Sequence, residues 1–412
     1  MRIRDIGEFG LIDRIARSLP APGKGVIVGI GDDVAVLKSS EHHILATCDI
    51  QVEGVHFLRE KITPYQLGRK AVAINVSDIA AMGGVPRYLL VSLVLPKETE
   101  VGFVDGLYKG LQEECARWGA EIVGGNMAHS PDGIIVDLFL LGEVEPECLL
   151  LRSGARVGDR VLVTGTLGDS AAGLALLLNS GMVCPDIHRE FVLRRHLTPT
   201  PRLGEGRAIA RSGLATAAID VSDGLASDIG HICERSGVGV RLWAEALPLS
   251  DAARAVAGAA GADPLEWALF GGEDYELLFT APADRAEELA RRVREETGTP
   301  VSVIGEVVPT EEGMSLIWAD GSVRPLRKGG WDHFRTTDDG RPTTDDGRPT
   351  TDDGRPTTDD RRRTTDCPLL GWWRRKRHSP SFRAAPLCSR TRLSLVLLVL
   401  RFVPHHYVVG QG

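Results

Sequence analysis

Several features that define other protein classes are missing from this sequence of 412 residues. Its seven cysteines include no CxxC pair, which argues against a zinc site or a disulfide-stapled fold and suits a reducing compartment. The longest apolar candidate, residues 393–400, is far shorter than the ~20 residues of a membrane helix. The N-terminus lacks the apolar stretch of a secretory signal. We therefore expect a cytoplasmic protein with no membrane association.

Lysine is also scarce, with 8 residues against 40 arginines, and charge is unevenly distributed along the chain. Residues 335–412 hold 15 basic and 9 acidic residues (net +6), whereas residues 1–334 hold 33 and 47 (net −14). Because residues 1–334 carry a net negative charge, they are poorly suited to binding nucleic acid through counterion release, and we expect no nucleic acid partner. Their carboxylates could instead hold hard cations such as Mg²⁺.

The standard phosphate-binding loops are absent. There is no GxxxxGK[ST] motif, and the pair Gly29 and Gly31 lacks the third glycine of a dinucleotide fingerprint. Metal ions would therefore have to neutralise much of the charge of any bound nucleotide. The sequence also shows no recognisable pair of a nucleophile and a base, because Cys48, Cys115 and Cys233 lie in apolar surroundings typical of core residues. This argues against a triad-type hydrolase.

The composition that remains is that of a folded protein, with 43% hydrophobic and 25% charged residues. Short β-branched segments predict strands, and longer amphipathic ones, such as residues 65–82 and 101–118, predict helices. We predict a mixed α/β (α+β) fold with an N-terminal domain of residues 1–150 and a C-terminal domain of residues 151–334.

Residues 335–412 form a third region of low complexity. The unit Thr-Thr-Asp-Asp-Gly-Arg-Pro begins at Thr336, Thr343 and Thr350, with a decayed copy at Thr357. So short and polar a unit cannot bury a core, and we predict a disordered tail. The heptad resembles the translation of a tandem seven-base DNA repeat, which suggests read-through of a lost stop codon. The alternative is a basic tail that contacts nucleic acid or an anionic membrane.

Aspartates cluster in four segments at predicted strand ends or on predicted helices. They include Asp33, Asp49, Asp78 and the pair Asp220 and Asp223. Carboxylates in such places suit octahedral Mg²⁺. Each one alone is better explained as a helix N-cap or a turn former, and Asp223 in particular could simply cap a helix. The presence of four such segments in one acidic chain modestly favours the interpretation that they bind metal ions.

Two glycine-containing segments are further candidates. Gly124-Gly125-Asn126 predicts a loop at a strand end, either an ordinary turn or a place where backbone approaches a ligand. Residues 271–276, Gly-Gly-Glu-Asp-Tyr-Glu, suggest tight backbone packing that presents a carboxylate, with a solvated turn as the alternative.

These motifs, in their order and spacing, resemble those of the thiamine-monophosphate kinase family. The similarity runs from residue 7 to residue 334 and includes the segments 29–33, 73–83, 164–173, 219–225 and 271–277. It implies the two-domain fold of aminoimidazole ribonucleotide synthetase (PurM-like). It also implies a homodimer in which the N-terminal domains pair through their sheets, with the nucleotide in the groove so formed.

The resemblance further implies ATP-dependent phosphorylation of thiamine monophosphate to thiamine diphosphate, by direct in-line transfer with several Mg²⁺ ions. By resemblance, the metal ligands are Asp33, Thr47, Cys48, Asp49, Asp78, Asn126, Asp220 and Asp223. The ATP contacts are Tyr108, Gly125, Asn126, Arg152 and Ser222, and the thiamine monophosphate contacts are His56, Glu273 and Trp331. No general base is assigned, because the second pKa of a phosphate monoester is near ~6 and the acceptor is already ionised.

Two positions depart from the family pattern. Cys48 stands where relatives often have threonine, a harmless change if the ligand is the backbone carbonyl. Asn126 stands where many relatives have aspartate, so one metal site should bind Mg²⁺ more weakly. The alternatives are another member of the superfamily, such as selenophosphate synthetase or a hydrogenase-maturation dehydratase, and a protein that binds nucleotide without catalysis.

Overall fold

A computed structural model describes residues 23–39 and 41–327, with positions 10, 12, 17 and 329 in isolation. Trp331 and the predicted tail lie outside the described residues, as does most of the segment before residue 23. Two mixed sheets flanked by helices confirm the predicted α/β class. Within the described ranges, no helix combines the length and the apolar character that crossing a bilayer requires.

The first sheet has six strands in the order β1-β2-β3-β6-β4-β5. Only the pair β4 and β5 runs parallel. The strands are β1 (Val26–Val28), β2 (Ala35–Leu37), β3 (His43–Val52), β4 (Val85–Leu95), β5 (Glu121–His129) and β6 (Ile135–Val144).

The second sheet has seven strands in the order β13-β12-β9-β11-β7-β10-β8, in which only β12 and β9 run parallel. Its strands are β7 (Arg160–Thr164), β8 (Ala217–Asp220), β9 (Val238–Trp243), β10 (Leu277–Ala281), β11 (Val301–Pro309), β12 (Met314–Ile317) and β13 (Val323–Pro325).

Helices pack on these sheets. The described α-helices are α1 (Pro64–Ala81), α2 (Val101–Trp118), α3 (Asp169–Leu178), α4 (Asp186–Leu197), α5 (Leu203–Ser212), α6 (Leu225–Ser236), α7 (Asp251–Ala260), α8 (Pro264–Phe270) and α9 (Ala286–Thr297).

Helix α1 is the central element of the fold. A capping box between Thr63 and Gln66, with proline in the first turn, fixes its start. Most of its residues are buried, because it lies between the first sheet and the second domain. Gly68 allows a close crossing with α2, since a Cβ there would lie 2.2 Å from the carbonyl oxygen of Leu107.

The two faces of the first sheet differ. Thr47 and Asp49 on β3 project toward α1, and the residues paired with them, Leu140 and Leu138, are fully buried. The opposite face carries exposed apolar side chains on neighbouring strands: Ile44, Ile50, Tyr88, Leu90, Val123 and Phe139. Cys48 alternates onto this second face, opposite to Asp49.

The structure corrects one local prediction and adds elements that sequence patterns did not indicate. Gly124-Gly125-Asn126 is not a loop, because strand β5 continues through it to His129. A Cβ on Gly125 would lie 2.0 Å from the carbonyl oxygen of Val91, so glycine permits the close parallel pairing with β4. Helices α4, α7 and α8 were not predicted.

Candidate active site

Carboxylates from three distant parts of the chain meet where the two domains join. Oxygen atoms of Asp33, Asp78 and Asp220 all lie within 4.8 Å of one another. Asp33 follows β1, Asp78 lies near the end of α1, and Asp220 ends β8 of the second domain. Asp49 joins this group through a hydrogen bond with Asp78. We call these four residues the acidic cluster.

Neighbouring hydroxyl groups orient the acidic cluster. The Thr47 hydroxyl donates to Asp78 Oδ2 at 2.5 Å, and the Ser77 hydroxyl donates to Asp220 Oδ2 at 2.6 Å. Ser77 and Asp220 lie on opposite sides of the domain junction, so this bond ties α1 to β8. The second oxygen of Asp33, Oδ2, is buried and has no hydrogen-bond partner among the described residues.

Crowding of these acids shifts their pKa values. Burial, and next the Asp33 charge, raise the pKa of Asp220 to about 8. Burial raises the pKa of Asp49 to about 6, and the charges of Asp137 and Asp33 add to the rise although the bond to Asp78 opposes it. Burial and the Asp49 charge raise the pKa of Asp78 well above its ordinary value. So many carboxylates cannot all ionise at neutral pH without cations, and an unpaired oxygen among them fits a site for Mg²⁺.

Arg152 borders the acidic cluster. Arg152 Nη2 donates to Asp33 Oδ1 at 2.5 Å, and the backbone N–H of Arg152 lies 3.3 Å from both oxygens of Asp32. Arg152 follows the first sheet in the chain, so it brings positive charge to the junction of the two domains. A guanidinium in this place can also pair with phosphate oxygens.

The loop between β8 and α6 carries Ser222 and Asp223. Its backbone N–H groups at Ser222, Asp223 and Gly224 all donate to Asp228 Oδ2, at 3.1–3.2 Å. Gly224 occupies the N-cap position of α6. Asp228 therefore accepts the hydrogen bonds that hold this turn, whereas the sequence suggests Asp223 as a possible helix cap.

A second group of polar side chains surrounds Glu273. Lys70 Nζ lies 2.7 Å from Glu273 Oε1, and His196 Nδ1 lies 3.3 Å from Glu273 Oε2. His56 contributes to the electrostatic environment of the same carboxylate. The ring of His56 is fixed, because its Nδ1 accepts the backbone N–H of Val52 at 3.0 Å.

The segment that carries Glu273 is held by the residues on either side of it. Asp274 accepts the N–H groups of Gly168 and Ser170 at 2.7 and 3.1 Å. Glu276 pairs with Arg195 and Arg202 at 2.6 Å each.

Between these anchors, Glu273 and Tyr275 have left-handed backbones, with φ of 66° and 51°. Such conformations are uncommon outside glycine and concentrate at functional sites.

Tight backbone packing at Gly271 and Gly272 is confirmed. A Cβ on Gly272 would lie 2.5 Å from the Ser222 carbonyl oxygen, and one on Gly271 would lie 2.5 Å from that of Trp267. Gly272 therefore lets this segment lie directly against the loop that follows β8, and Gly271 lets it leave the end of helix α8 closely. The same packing brings Glu273 to the side of the acidic cluster.

Three predicted nucleotide contacts lie elsewhere on the first domain. Tyr108 is on α2, and Gly125 and Asn126 are on the edge strand β5. Asn126 pairs with Ser92, which pairs with Asp137, and Asp137 pairs with Ile50. Because paired residues share a face, Asn126 lies on the face of the first sheet opposite to Asp49.

Sequence patterns did not single out two residues of this region. Lys70 interrupts the apolar face of helix α1 between Leu67 and Ile74, and a charge on that face is the signal that could have found it. Tyr275 is buried, and burial together with the charges of Glu273, Asp49 and Asp220 raises the pKa of its hydroxyl. These influences indicate that Tyr275 lies between Glu273 and the acidic cluster.

The whole architecture matches known family models. The model described as AIR synthase related protein, N-terminal domain, matches residues 31–144, and the corresponding C-terminal domain matches residues 156–316. The fold and its junction site thus define a two-domain AIR synthase-related protein.

Closer relatives specify the family. A thiamine-monophosphate kinase of Aquifex aeolicus (strain VF5) is 40% identical over 337 residues, which cover 81% of this chain and 100% of the relative. The enzyme of Escherichia coli (strain K12) is 40% identical over 335 residues, 80% of this chain and 99% of the relative. A solved structure of AaThiL complexed with AMPPCP and TMP has a TM-score of 0.70 and 40% identity, and covers 81% of this chain and 99% of that one. The chain therefore belongs to the thiamine-monophosphate kinase family.

Proposed function

We propose that this protein phosphorylates thiamine monophosphate to thiamine diphosphate, with ATP as the phosphoryl donor and Mg²⁺ as the cofactor. The observation that carries the proposal is the acidic cluster at the domain junction, in a chain whose relatives are thiamine-monophosphate kinases. Donor and acceptor are both polyanions, so their repulsion must be neutralised before they can meet.

Magnesium would be held by Asp33, Asp49, Asp78 and Asp220. The resemblance adds Thr47, Asp223, Asn126 and the backbone of Cys48 to this set. When bound, Mg²⁺ ions neutralise the phosphates and align the donor with the acceptor. The orphaned oxygen of Asp33 and the raised pKa values of Asp49 and Asp220 support a site that is completed by cations.

The protein's own groups contribute charge and position. Arg152 supplies a guanidinium beside Asp33 that can pair with phosphate oxygens. No residue needs to remove a proton from the acceptor, because a phosphate monoester is largely dianionic above a pKa of ~6.

The substrate side of the site would be formed by His56 and Glu273, with Trp331 assigned by resemblance alone. A carboxylate suits the cationic thiazolium ring of thiamine, and an aromatic face would suit it as well. Glu273 lies on a segment held rigidly by Asp274 and Glu276, which supports a fixed recognition point.

The nucleotide side would involve Tyr108, Gly125, Asn126, Arg152 and Ser222. Asn126 lies on the face of the first sheet opposite to Asp49, the same face that carries the exposed apolar side chains of this sheet. An exposed apolar face of this kind supports pairing of two chains across it. In such a homodimer the nucleotide would lie in the groove beside the paired sheets. Sedimentation velocity should show a species of twice the chain mass, and a monomer at micromolar concentration would contradict the pairing.

The test is an assay of thiamine diphosphate formation from ATP, Mg²⁺ and thiamine monophosphate. We expect product from the full chain and none without Mg²⁺. Asp78→Asn should abolish turnover, whereas Asp105→Asn, a change on the exposed side of α2, should not. Activity in a chain that ends at Phe334 but not in the full chain would make the tail inhibitory. A folded protein that binds ATP but makes no product would indicate a different acceptor or a binding role.

A further inference from the structure

Lys70 is a fully buried charge that none of the assignments above uses. Its side chain is 1% exposed and is the largest among the most deeply buried side chains of the described residues. Burial of an ammonium group is costly unless a counter-charge compensates it. Its partner is Glu273, whose Oε1 lies 2.7 Å from Nζ.

Glu273 is itself in an unusual state. Its backbone is left-handed, with φ of 66°, and its side chain keeps 25% exposure. Its backbone N–H donates to the Ser222 carbonyl at 2.7 Å, which fixes the residue against the loop that follows β8. The carboxylate is thus held from behind by Lys70 and remains accessible on its other side.

The neighbouring histidine does not supply the compensating charge. Burial and the charge of Lys70 lower the pKa of His196 to about 4, so its ring is neutral at pH 7. His196 Nδ1 also lies 2.9 Å from the Ser170 hydroxyl. Burial alone would raise the pKa of Glu273, but the charge of Lys70 is the largest opposing influence and the net shift is downward.

Helix α1 connects this pair to the reacting end of the site. Lys70 and Asp78 are eight residues apart on α1, a separation of about 12 Å along the helix axis. The body of an organic phosphate ester can lie between the two positions. One rigid helix therefore sets the spacing between the acidic cluster and Glu273.

We propose that Lys70 is a positioning residue for thiamine monophosphate, which keeps the Glu273 carboxylate ionised and oriented toward the cationic ring of the substrate. The inference rests on the proposed function and deepens it. Lys70 acts through Glu273, the carboxylate with which its ammonium group pairs. Its loss should therefore weaken recognition of thiamine monophosphate selectively.

The experiment compares the kinetics of Lys70→Met with those of Lys97→Met in the full chain. Lys97 is a matched control, because its side chain is 78% exposed and lies 3.8 Å from Glu98. For Lys70→Met we expect the KM for thiamine monophosphate to rise about tenfold or more, with the KM for ATP changed less than about twofold. Lys97→Met should match the wild type. Equal rises in both KM values, or no rise, would overturn the inference.

A double-mutant cycle separates positioning from structural support. Glu273→Gln keeps the shape of the side chain and should raise the KM for thiamine monophosphate by itself. Adding Lys70→Met in that background should change this KM less than about threefold, because the two residues act as a unit. If Lys70→Met alone does not fold, the double variant and Glu273→Gln still carry the test, because removing both charges leaves no unpaired buried ion. A double variant that regains both stability and the wild-type KM would show that the pair is structural only.

The wild-type enzyme separates this inference from the proposed function. If neither the full wild-type chain nor the chain that ends at Phe334 forms thiamine diphosphate, the proposed function fails whatever the variants do. If the wild type is active and Lys70→Met has the same KM for thiamine monophosphate as the wild type, only the proposed role of Lys70 fails.

Discussion

Gly206→Ala should displace helix α5 from helix α1 by a steric clash. The displacement should in turn disturb the geometry of the acidic cluster. A Cβ on Gly206 would lie 2.2 Å from the carbonyl oxygen of Ala80 and 2.9 Å from its carbonyl carbon. Both atoms are backbone, so no side chain can rotate to relieve the contact. The two helices would have to separate, and α1 carries Asp78 and Ser77 of the site.

The same helix offers a matched control. At Gly204 the nearest neighbour of an added Cβ is the Thr297 methyl group at 3.6 Å, an ordinary van der Waals contact. Alanine is favoured over glycine in a helix by up to about 1 kcal/mol, and this gain applies to both variants. Overpacking of a well-packed core costs about 1–3 kcal/mol, and this cost applies to Gly206→Ala alone. Gly206→Ala should therefore be less stable than Gly204→Ala by about 1–3 kcal/mol.

Urea unfolding measures this difference. Both variants should keep the wild-type slope, and the midpoint of Gly206→Ala should fall below that of Gly204→Ala. Gly206→Ala should also need more Mg²⁺ for half-maximal activity, since a displaced α1 would strain the Ser77–Asp220 bond that joins this helix to β8. Equal midpoints for the two variants would refute the close packing of α5 on α1.

Three further predictions address the acidic cluster, the metal requirement and the domain junction. Asp220→Asn should abolish turnover. In metal-free protein it should match the wild type below about pH 4 and be the more stable form at pH 9, because a folded pKa of about 8 makes Asp220 cost stability as pH rises from about 4 to 8. Lower metal-free stability of this variant at pH 9 would contradict the burial of that carboxylate. Asn126→Asp should lower the Mg²⁺ concentration for half-maximal activity, with the exposed Asn179→Asp as its control; an unchanged Mg²⁺ titration would count against Asn126 as a ligand. Glu145→Gln should cost about 0.5–1 kcal/mol at pH 7, a discounted value because the carboxylate is about a third exposed. Hydrogen bonds from Arg207 at 2.7 and 2.8 Å lower the pKa of Glu145 to about 2. The stability that this pair contributes is therefore present above the ordinary pKa of 4.5 and is lost as pH falls toward 2. A difference in urea midpoint between Glu145→Gln and the wild type that persists at pH 2 would refute this prediction.

The long, strongly patterned elements were predictable because local signals and packing agree in them. Helix α1 was expected over residues 65–82 and spans Pro64–Ala81, where a capping box reinforces a mostly apolar helix. Helix α4 was missed because its sequence is rich in charged residues and its apolar stripe is weak. The seven-residue α8 is too short for its periodicity to be seen. The Gly-Gly-Asn prediction was wrong because glycine here serves the close pairing of β5 with β4, which only the sheet reveals.

The site was predictable in its chemistry more than in its geometry. Aspartates at strand ends and on helices indicated a metal site, and the resemblance selected which of them to expect. Ser77 and Asp220 are 143 residues apart, however, and no local pattern indicates that they share a hydrogen bond. Lys70 was missed for a related reason, since its partner Glu273 lies on a strained segment of the other domain.

The central claim is that phosphate passes from ATP to thiamine monophosphate at the acidic cluster. The most direct measurement follows the label of γ-labelled ATP in a single turnover with Mg²⁺ and thiamine monophosphate. We expect the label to appear in thiamine diphosphate at the rate at which ATP disappears, with no labelled protein at any time. Label that accumulates on the protein, or that ends only in inorganic phosphate, would contradict this account.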